Sequence, residues 1–403
     1  MGWLGLDDTD SLGGGCTTHL FDALLSELPE NVVCGEPRLV RLWPFAQRRT
    51  RGNAALAVEL STADVEGLLG HLDAFWNERI LPLKGKRSPG SRSPREQVES
   101  SPGMVWFEKQ PNPAFYWEAV RRHVEHHEVP QPSRIWGEHG VVGAAAAVSW
   151  PAETVTWEAI AWREANATGD RSIDEDILEE VDGWQDIVFS RDPRRGTGLI
   201  APRGASPVLF GVRSLTQKAA TAACKAILDA PGTEPCASWR VFCTNQASGD
   251  HLAETYRGQV RSTSLHAERK HVQVSTTTFE MVSFAEGGPV NSLARWLKEG
   301  DEIEAKGLVH PNGTLHVEQL LLVRAVARRK HRPLCQECNV RTKSMGSNQG
   351  VRCPLCKARF ADTWDEVEPE PPYIGWTEPP VDARRHLARP LAWGRKDTDD
   401  PTP

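Results

Sequence analysis

A chain of 403 residues is too long for a single hydrophobic core and predicts two to four domains. Its 39% hydrophobic content is enough to fill those cores, and a formal charge of -7 excludes a protein coated in nucleic acid, so any RNA contact must use local basic patches. Nine cysteines without disulfide-rich spacing, no secretory leader, no lipidation signal and no apolar run of transmembrane length predict a soluble, cytoplasmic protein in a reducing compartment, with no membrane partner.

The opening stretch organises the rest. Trp3 to Leu6 is an apolar run of strand length, and Leu20, Phe21, Leu24, Leu25 and Leu28 recur as one helical face. The turn between them holds Asp7, Asp8, Thr9, Asp10, Ser11, Gly13 to Gly15, Cys16, Thr17 and Thr18. Three carboxylates this close repel one another and ionise together favourably only around a cation or donor, for which magnesium is the natural candidate. The glycines let backbone approach a ligand, and a threonine opens a helix whose free amides attract phosphate. A solvated acidic turn capped by threonine would use the same residues. A calcium loop counted from Asp8 fails, because Leu12 and His19 fall at ligand positions. The chain has no G-x-x-x-x-G-K-[ST] motif, so any ATP is held without a P-loop.

Residues 37–42 and 54–60 alternate as strands around Arg48-Arg49-Thr50-Arg51-Gly52-Asn53, which is either a charged edge or a phosphate clamp. The basic, proline- and serine-rich run Lys84 to Arg95 cannot bury a core and reads as a loop, serving as a linker or steering RNA. Gly140 to Ala147 is a small-residue stretch suited to close helix packing, and it lacks the G-x-G-x-x-G spacing of a dinucleotide fingerprint. Segments 206–213 and 240–251 are apolar strands ending in small and polar groups, positions that carry either ligand contacts or buried polar turns. Fifteen tryptophans invite a base-stacking explanation, but core and surface packing accounts for most, and none is assigned to RNA.

From Tyr256 the pattern becomes five short strands with a helix over 290–298 between the third and fourth, the order of an OB-fold barrel. A basic bridge, Arg324, Arg328, Arg329, Lys330 and Arg332, leads to Cys335-x-x-Cys338 and Cys353-x-x-Cys356. Paired knuckles at this separation present four thiolates to a structural zinc, with no open coordination position. An acidic, proline-rich linker and an Arg384-Arg385-His386 segment, docking or RNA-contacting, follow.

Taken together, Gly5-Leu6-Asp7-Asp8-Thr9-Asp10-Ser11 with Gly15-Cys16-Thr17-Thr18, the Thr50-Arg51-Gly52-Asn53 segment, the Thr244-Asn245 region, the barrel, the ribbon and the Arg384-Arg385-His386-Leu387 tail resemble archaeal isoleucine-tRNA agmatidine synthetases along nearly the whole chain. The resemblance implies a multidomain α+β protein: a kinase-like α/β catalytic domain over 1–95, a ferredoxin-like agmatine-binding region over 96–255, an OB-fold over 256–330, a zinc ribbon over 331–362 and a linker with docking tail over 363–403. It implies an ATP-dependent ligase that joins agmatine to C2 of the wobble cytidine of an isoleucine tRNA with a CAU anticodon, so that the tRNA decodes AUA codons, using ATP with Mg2+ and a structural Zn2+. By the same resemblance Asp7, Asp8, Asp10 and Thr17 are catalytic. The resemblance places its phosphorylated threonine at Thr17, with Thr18 the fallback. Thr9, Ser11, Gly15, Thr18, Arg51, Gly52 and Asn53 would bind ATP or its phosphates. Gly211, Arg213, Thr244, Asn245 and Asp250 would receive agmatine. Two other readings fit parts of the same sequence: an ATP-dependent RNA or protein kinase without an amine substrate, and a non-catalytic RNA-binding barrel and ribbon.

Overall fold

The computed structural model describes residues 1–10, 15–46, 48, 53–86, 98–192, 194–202, 206–361, 363–367 and 369–394. The chain forms two compact units: Met1–Ala253 together with the segment from Val381, and Glu254–Pro380.

The first unit is built on β1 (Gly2–Asp7), β2 (Arg38–Arg41), β3 (Ala54–Ser61), β4 (Gly103–Phe107), β5 (Arg134–Gly137), β6 (Thr156–Arg163), β7 (Val208–Ser214) and β8 (Cys236–Thr244). These run side by side in the order β5-β4-β1-β3-β2-β8-β6-β7, and two-residue strands at 33–34 and 187–188 extend the sheet to ten. Strands from both sides of residue 95 therefore lie in one sheet. Every pairing along that order is antiparallel except the join of β2 to β8, where Arg38 and Leu39 meet Cys243 and Thr244 in parallel.

Successive side chains of a strand point to opposite faces, and β1 shows what that does here. Leu4 and Leu6 pack with α1 (Thr17–Ser26) and α2 (Val65–Phe75) through Phe21, Leu24, Leu68, Leu72 and Phe75. Trp3 faces the other way, into a cluster with α3 (Ala114–Arg121) and α4 (Val141–Ser149), and Gly5 lies on that same side. A Cβ at Gly5 would sit 2.4 Å from the Ala144 carbonyl oxygen, so only glycine lets α4 lie this close. The 140–147 stretch does pack closely as expected. Beyond β8, helices α5 (Glu175–Asp182) and α6 (Gln217–Asp229) bury Val181, Ala220, Ala223 and Ile227 against Ala159, Ala161, Leu209 and Val212 of β6 and β7.

In the second unit β9 (Tyr256–Leu265), β10 (Val272–Thr276), β11 (Glu280–Ser283), β12 (Glu302–Val309) and β13 (Leu315–Arg324) close a barrel in the order β9-β10-β11-β13-β12. Helix α7 (Pro289–Trp296) lies between the third and fourth strands in sequence and buries Val290 and Leu293 in the barrel core. The five strands and the intervening helix fall where the sequence pattern put them. Downstream, Lys343–Ser344, Val351–Arg352 and Arg359–Phe360 form a three-stranded sheet carrying the cysteine knuckles. Among the described residues no helix is long and apolar enough to cross a membrane.

Candidate functional site: an acid-lined cavity and a four-cysteine centre

β1 delivers the acidic turn. Asp7 has the parity of Trp3 and Gly5, so its carboxylate meets α4, where a Cβ on Gly143 would lie 1.8 Å from Asp7 Oδ2. Asp8 follows in the left-handed region (φ 56°), a conformation that aspartate tolerates better than most residues. Its amide donates to Asp7 Oδ1 at 2.7 Å, and its own Oδ2 accepts from the Ser101 amide at 3.0 Å. Burial pushes the Asp7 carboxyl well above the usual carboxylate range, with Asp8 adding repulsion. Burial likewise raises Asp8 to about 7, against the Ser101 amide, which favours the ionised form. Two acids whose carboxyls burial pushes above the usual range, beside a third, are a poor structural device and a good receptacle for positive charge.

Helix α1 begins one short loop later. Thr9 Oγ1 donates to Thr17 Oγ1 at 3.2 Å, tying the acidic turn to the first helical residue, and Trp162 Nε1 donates to Thr18 Oγ1 at 3.3 Å. Gly15 takes a left-handed conformation (φ 77°) between them. Asp7, Asp8, Asp10, Thr17 and Thr18 all line one cavity of about 590 Å³.

Asn53 lines the same cavity and donates through Nδ2 to the Trp43 carbonyl. Ser11, Arg51 and Gly52 lie outside the described residues. Of the residues expected to receive agmatine, Gly211 and Arg213 line the cavity; Thr244, Asn245 and Asp250 do not. Their side chains work inside the fold. Asn245 Oδ1 accepts from the Arg41 amide (2.8 Å) while its Nδ2 donates to the Arg41 carbonyl (2.9 Å), so that its amide continues the β2–β8 ladder by one rung. Asp250 Oδ2 accepts from the Tyr116 hydroxyl at 2.6 Å, and Thr244 Oγ1 accepts from the Gln246 amide at 2.8 Å.

A buried carboxylate that sequence reasoning did not single out stands in the same cavity wall. Glu158 of β6 lies directly opposite Arg213 of β7, on the face that also carries Ile160 and Trp162. Its Oε1 is 3.3 Å from Arg213 Nε; its Oε2 is 2.5 Å from Gln246 Nε2 and 3.7 Å from Arg41 Nη2. Although burial opposes ionisation, the Arg213 and Arg41 guanidiniums hold its carboxyl below the usual range. A Cβ on Gly211 would stand 2.8 Å from Glu158 Oε1, so the glycine is what leaves that oxygen room. The signal was available in Thr156-Trp157-Glu158-Ala159-Ile160-Ala161-Trp162, where the alternation puts a charge on the same face as Ile160 and Trp162. His386 from the tail completes this wall.

In the second unit the ligand atoms of Cys335, Cys338, Cys353 and Cys356 lie within 4.8 Å of one another, and Cys335 Sγ is 3.6 Å from Cys356 Sγ. A tetrahedral Zn–S distance of about 2.3 Å implies sulfur separations near 3.8 Å, so the four thiols fit a zinc ion. Each knuckle ends in a left-handed residue, Asn339 (φ 51°) and Lys357 (φ 65°), and the Leu355 amide donates to Cys353 Sγ at 3.3 Å.

Fold and sites together define a mixed α/β multidomain protein with an acid-lined cavity, a five-stranded barrel and a four-cysteine zinc ribbon. Residues 3–71 match the TiaS TCKD domain, residues 138–251 the TiaS FLD domain and residues 332–370 the TiaS C-terminal zinc ribbon domain. The tRNA 2-agmatinylcytidine synthetase TiaS of Methanopyrus kandleri is 32% identical over 97% of this chain and 96% of its own, and that of Methanosarcina acetivorans 31% over 96% of each. The crystal structure of a TiaS complex with its isoleucine tRNA and ATP superposes with a TM-score of 0.79 at 26% identity, covering 98% of both chains. The chain belongs to the TiaS family.

Proposed function

We propose that this chain is an ATP-dependent ligase that conjugates agmatine to C2 of the wobble cytidine of an isoleucine tRNA with a CAU anticodon. The observation that carries the reading is a single cavity with an acid cluster beside two helix-opening threonines and, in the same wall, a buried carboxylate at a glycine-cleared position. The names of the curated relatives and the ATP and isoleucine tRNA of the related complex support the substrates.

An amide-like carbonyl oxygen leaves poorly until it is phosphorylated, so the reaction needs a phosphoryl-transfer centre and an amine site within reach of one base. In our reading Asp7, Asp8 and Asp10 hold Mg2+, which when bound neutralises charge on the transferred phosphoryl group. Thr17, tied to the turn through Thr9, is the hydroxyl that accepts a phosphoryl group, and we assign nucleotide binding to Thr18 and Asn53 of the cavity wall and, by the family resemblance, to Thr9, Ser11, Gly15, Arg51 and Gly52. Agmatine is received by Glu158 with Gly211 and Arg213. Its amine, as the free base, attacks C2 of a cytidine whose C2 oxygen has taken a phosphoryl group originating from ATP; the C2–O bonding pair leaves with that oxygen as phosphate, and the attacking nitrogen releases a proton to solvent. Thr244, Asn245 and Asp250 support this wall from behind through the bonds to Arg41, Gln246 and Tyr116. We read 1–95 as kinase-like, 96–255 as ferredoxin-like and the barrel as an OB-fold that, with the ribbon, grasps the tRNA and presents the extruded wobble base.

Incubation of the protein with ATP, radiolabelled agmatine and a transcript of that isoleucine tRNA tests this. Label should enter the tRNA only when ATP is present. Phosphate transfer that ignores agmatine would make the protein a kinase, and tRNA binding without ATP turnover would leave an RNA-binding module.

A further inference from the structure

The C-terminal segment rejoins the first unit and is built into it. Asp382 pairs with Arg194, and the Ala247 and Gly249 amides donate to the carbonyls of His386 and Leu387, each at 2.8 Å. Leu387 is buried in the same cluster as Val40 and Cys243. Anchored on both sides, His386 stands in the cavity wall with Nδ1 3.1 Å from Arg213 Nη2.

A guanidinium has only donors, so Nδ1 must be the acceptor and the ring proton must sit on Nε2. The Arg41 guanidinium first, with Arg213 beside it, holds the imidazole pKa well below its ordinary value although the residue is exposed, which keeps that lone pair free of a proton. Arg213 touches Glu158 through Nε at 3.3 Å, and one such contact leaves a long side chain several rotamers. A second acceptor at Nη2 removes that freedom.

We propose that His386 is a positioning residue: its neutral Nδ1 fixes the Arg213 guanidinium edge-on to Glu158, which makes the C-terminal tail part of the amine-binding wall. This rests on the reading that Glu158 receives agmatine. Oε2 is taken by Gln246 and Arg41, and Oε1 is the atom Gly211 leaves accessible, so the pose of Arg213 decides how much of Oε1 remains for an incoming cation.

The test uses the full chain in wild-type form and as His386→Asn and His386→Leu. Asparagine can return an acceptor close to the Nδ1 position; leucine keeps bulk without one. Nitrogen-15 spectra of histidine-labelled protein at pH 7 should show His386 as the Nε2–H tautomer. In steady-state assays His386→Leu should raise KM for agmatine at least tenfold with kcat and the KM for ATP within threefold of wild type, and His386→Asn should recover most of that loss. An Nδ1–H tautomer or an imidazolium would overturn the proposal, as would equal KM values for the two variants. If the wild type incorporates no agmatine, the functional reading fails by itself, while the tautomer still decides whether His386 accepts from Arg213.

Discussion

Asp8→Asn should separate the stability of this protein from its chemistry. Burial raises the Asp8 carboxyl from 3.8 to about 7, so between those pH values the folded chain holds a proton that the unfolded chain has released. Stability contributed by this group therefore falls as pH rises through that window, and the full penalty stands above pH 7. A shift of about 3 units at about 1.36 kcal/mol each gives roughly 4 kcal/mol at pH 8, and the same two values leave under about 2 kcal/mol at pH 5. Asparagine removes the ionisable group, can still accept from the Ser101 amide, and suits the left-handed backbone at φ 56°. We expect the variant to unfold on the order of 10 °C higher than wild type at pH 8 in EDTA, with a gain less than half as large at pH 5. Saturating Mg2+ should stabilise the wild type and narrow the gap, and ATP-dependent modification should disappear. The measurement is thermal unfolding of the first unit at the two pH values with and without the ion. An Asn variant no more stable than wild type, or one whose gain is the same at both pH values, refutes the burial argument.

Gly143→Ala should act without altering any charge: its Cβ would fall 1.8 Å from Asp7 Oδ2, so the carboxylate must move, and we expect at least a hundredfold loss of kcat/KM with a stability loss of about 1–3 kcal/mol, measurable by turnover and urea titration. Thr17→Ala should abolish protein-bound label from [γ-32P]ATP whereas Thr18→Ala should retain it, as phosphopeptide mapping would read; label retained in the Thr17 variant transfers the role to Thr18. Cys353→Ser should release the zinc, scored by elemental analysis, and weaken tRNA binding while the nucleotide-dependent stabilisation of the first unit persists.

Much of this architecture was legible because its signals are local. The acidic turn sits between an apolar run of strand length and a period-3.6 segment, the knuckles have fixed spacing, and the last two barrel strands flank the Pro311-Asn312-Gly313 turn. What was not legible is what depends on register between distant strands. Segment 240–251 left ligand contacts and buried polar turns both open, and only the fold shows the Asn245 side chain bonded to the backbone of Arg41, some 200 residues earlier, and Asp250 to Tyr116. Glu158 draws its partners from β2, β7 and the turn after β8. No window of sequence contains that neighbourhood. The packing of Gly143 on Asp7 likewise becomes visible only when α4 crosses β1.

The lone parallel seam between β2 and β8 also bears on synthesis. Two antiparallel halves are stitched together there by residues about 200 apart, and the cavity opens beside the stitch, with its last wall residue at position 386. Loop closure over such a span is slow, and it cannot begin until the later strand has left the ribosome. A nascent or truncated chain can thus display the acidic turn long before it owns a complete pocket, whose wall is closed only once residue 386 has been made.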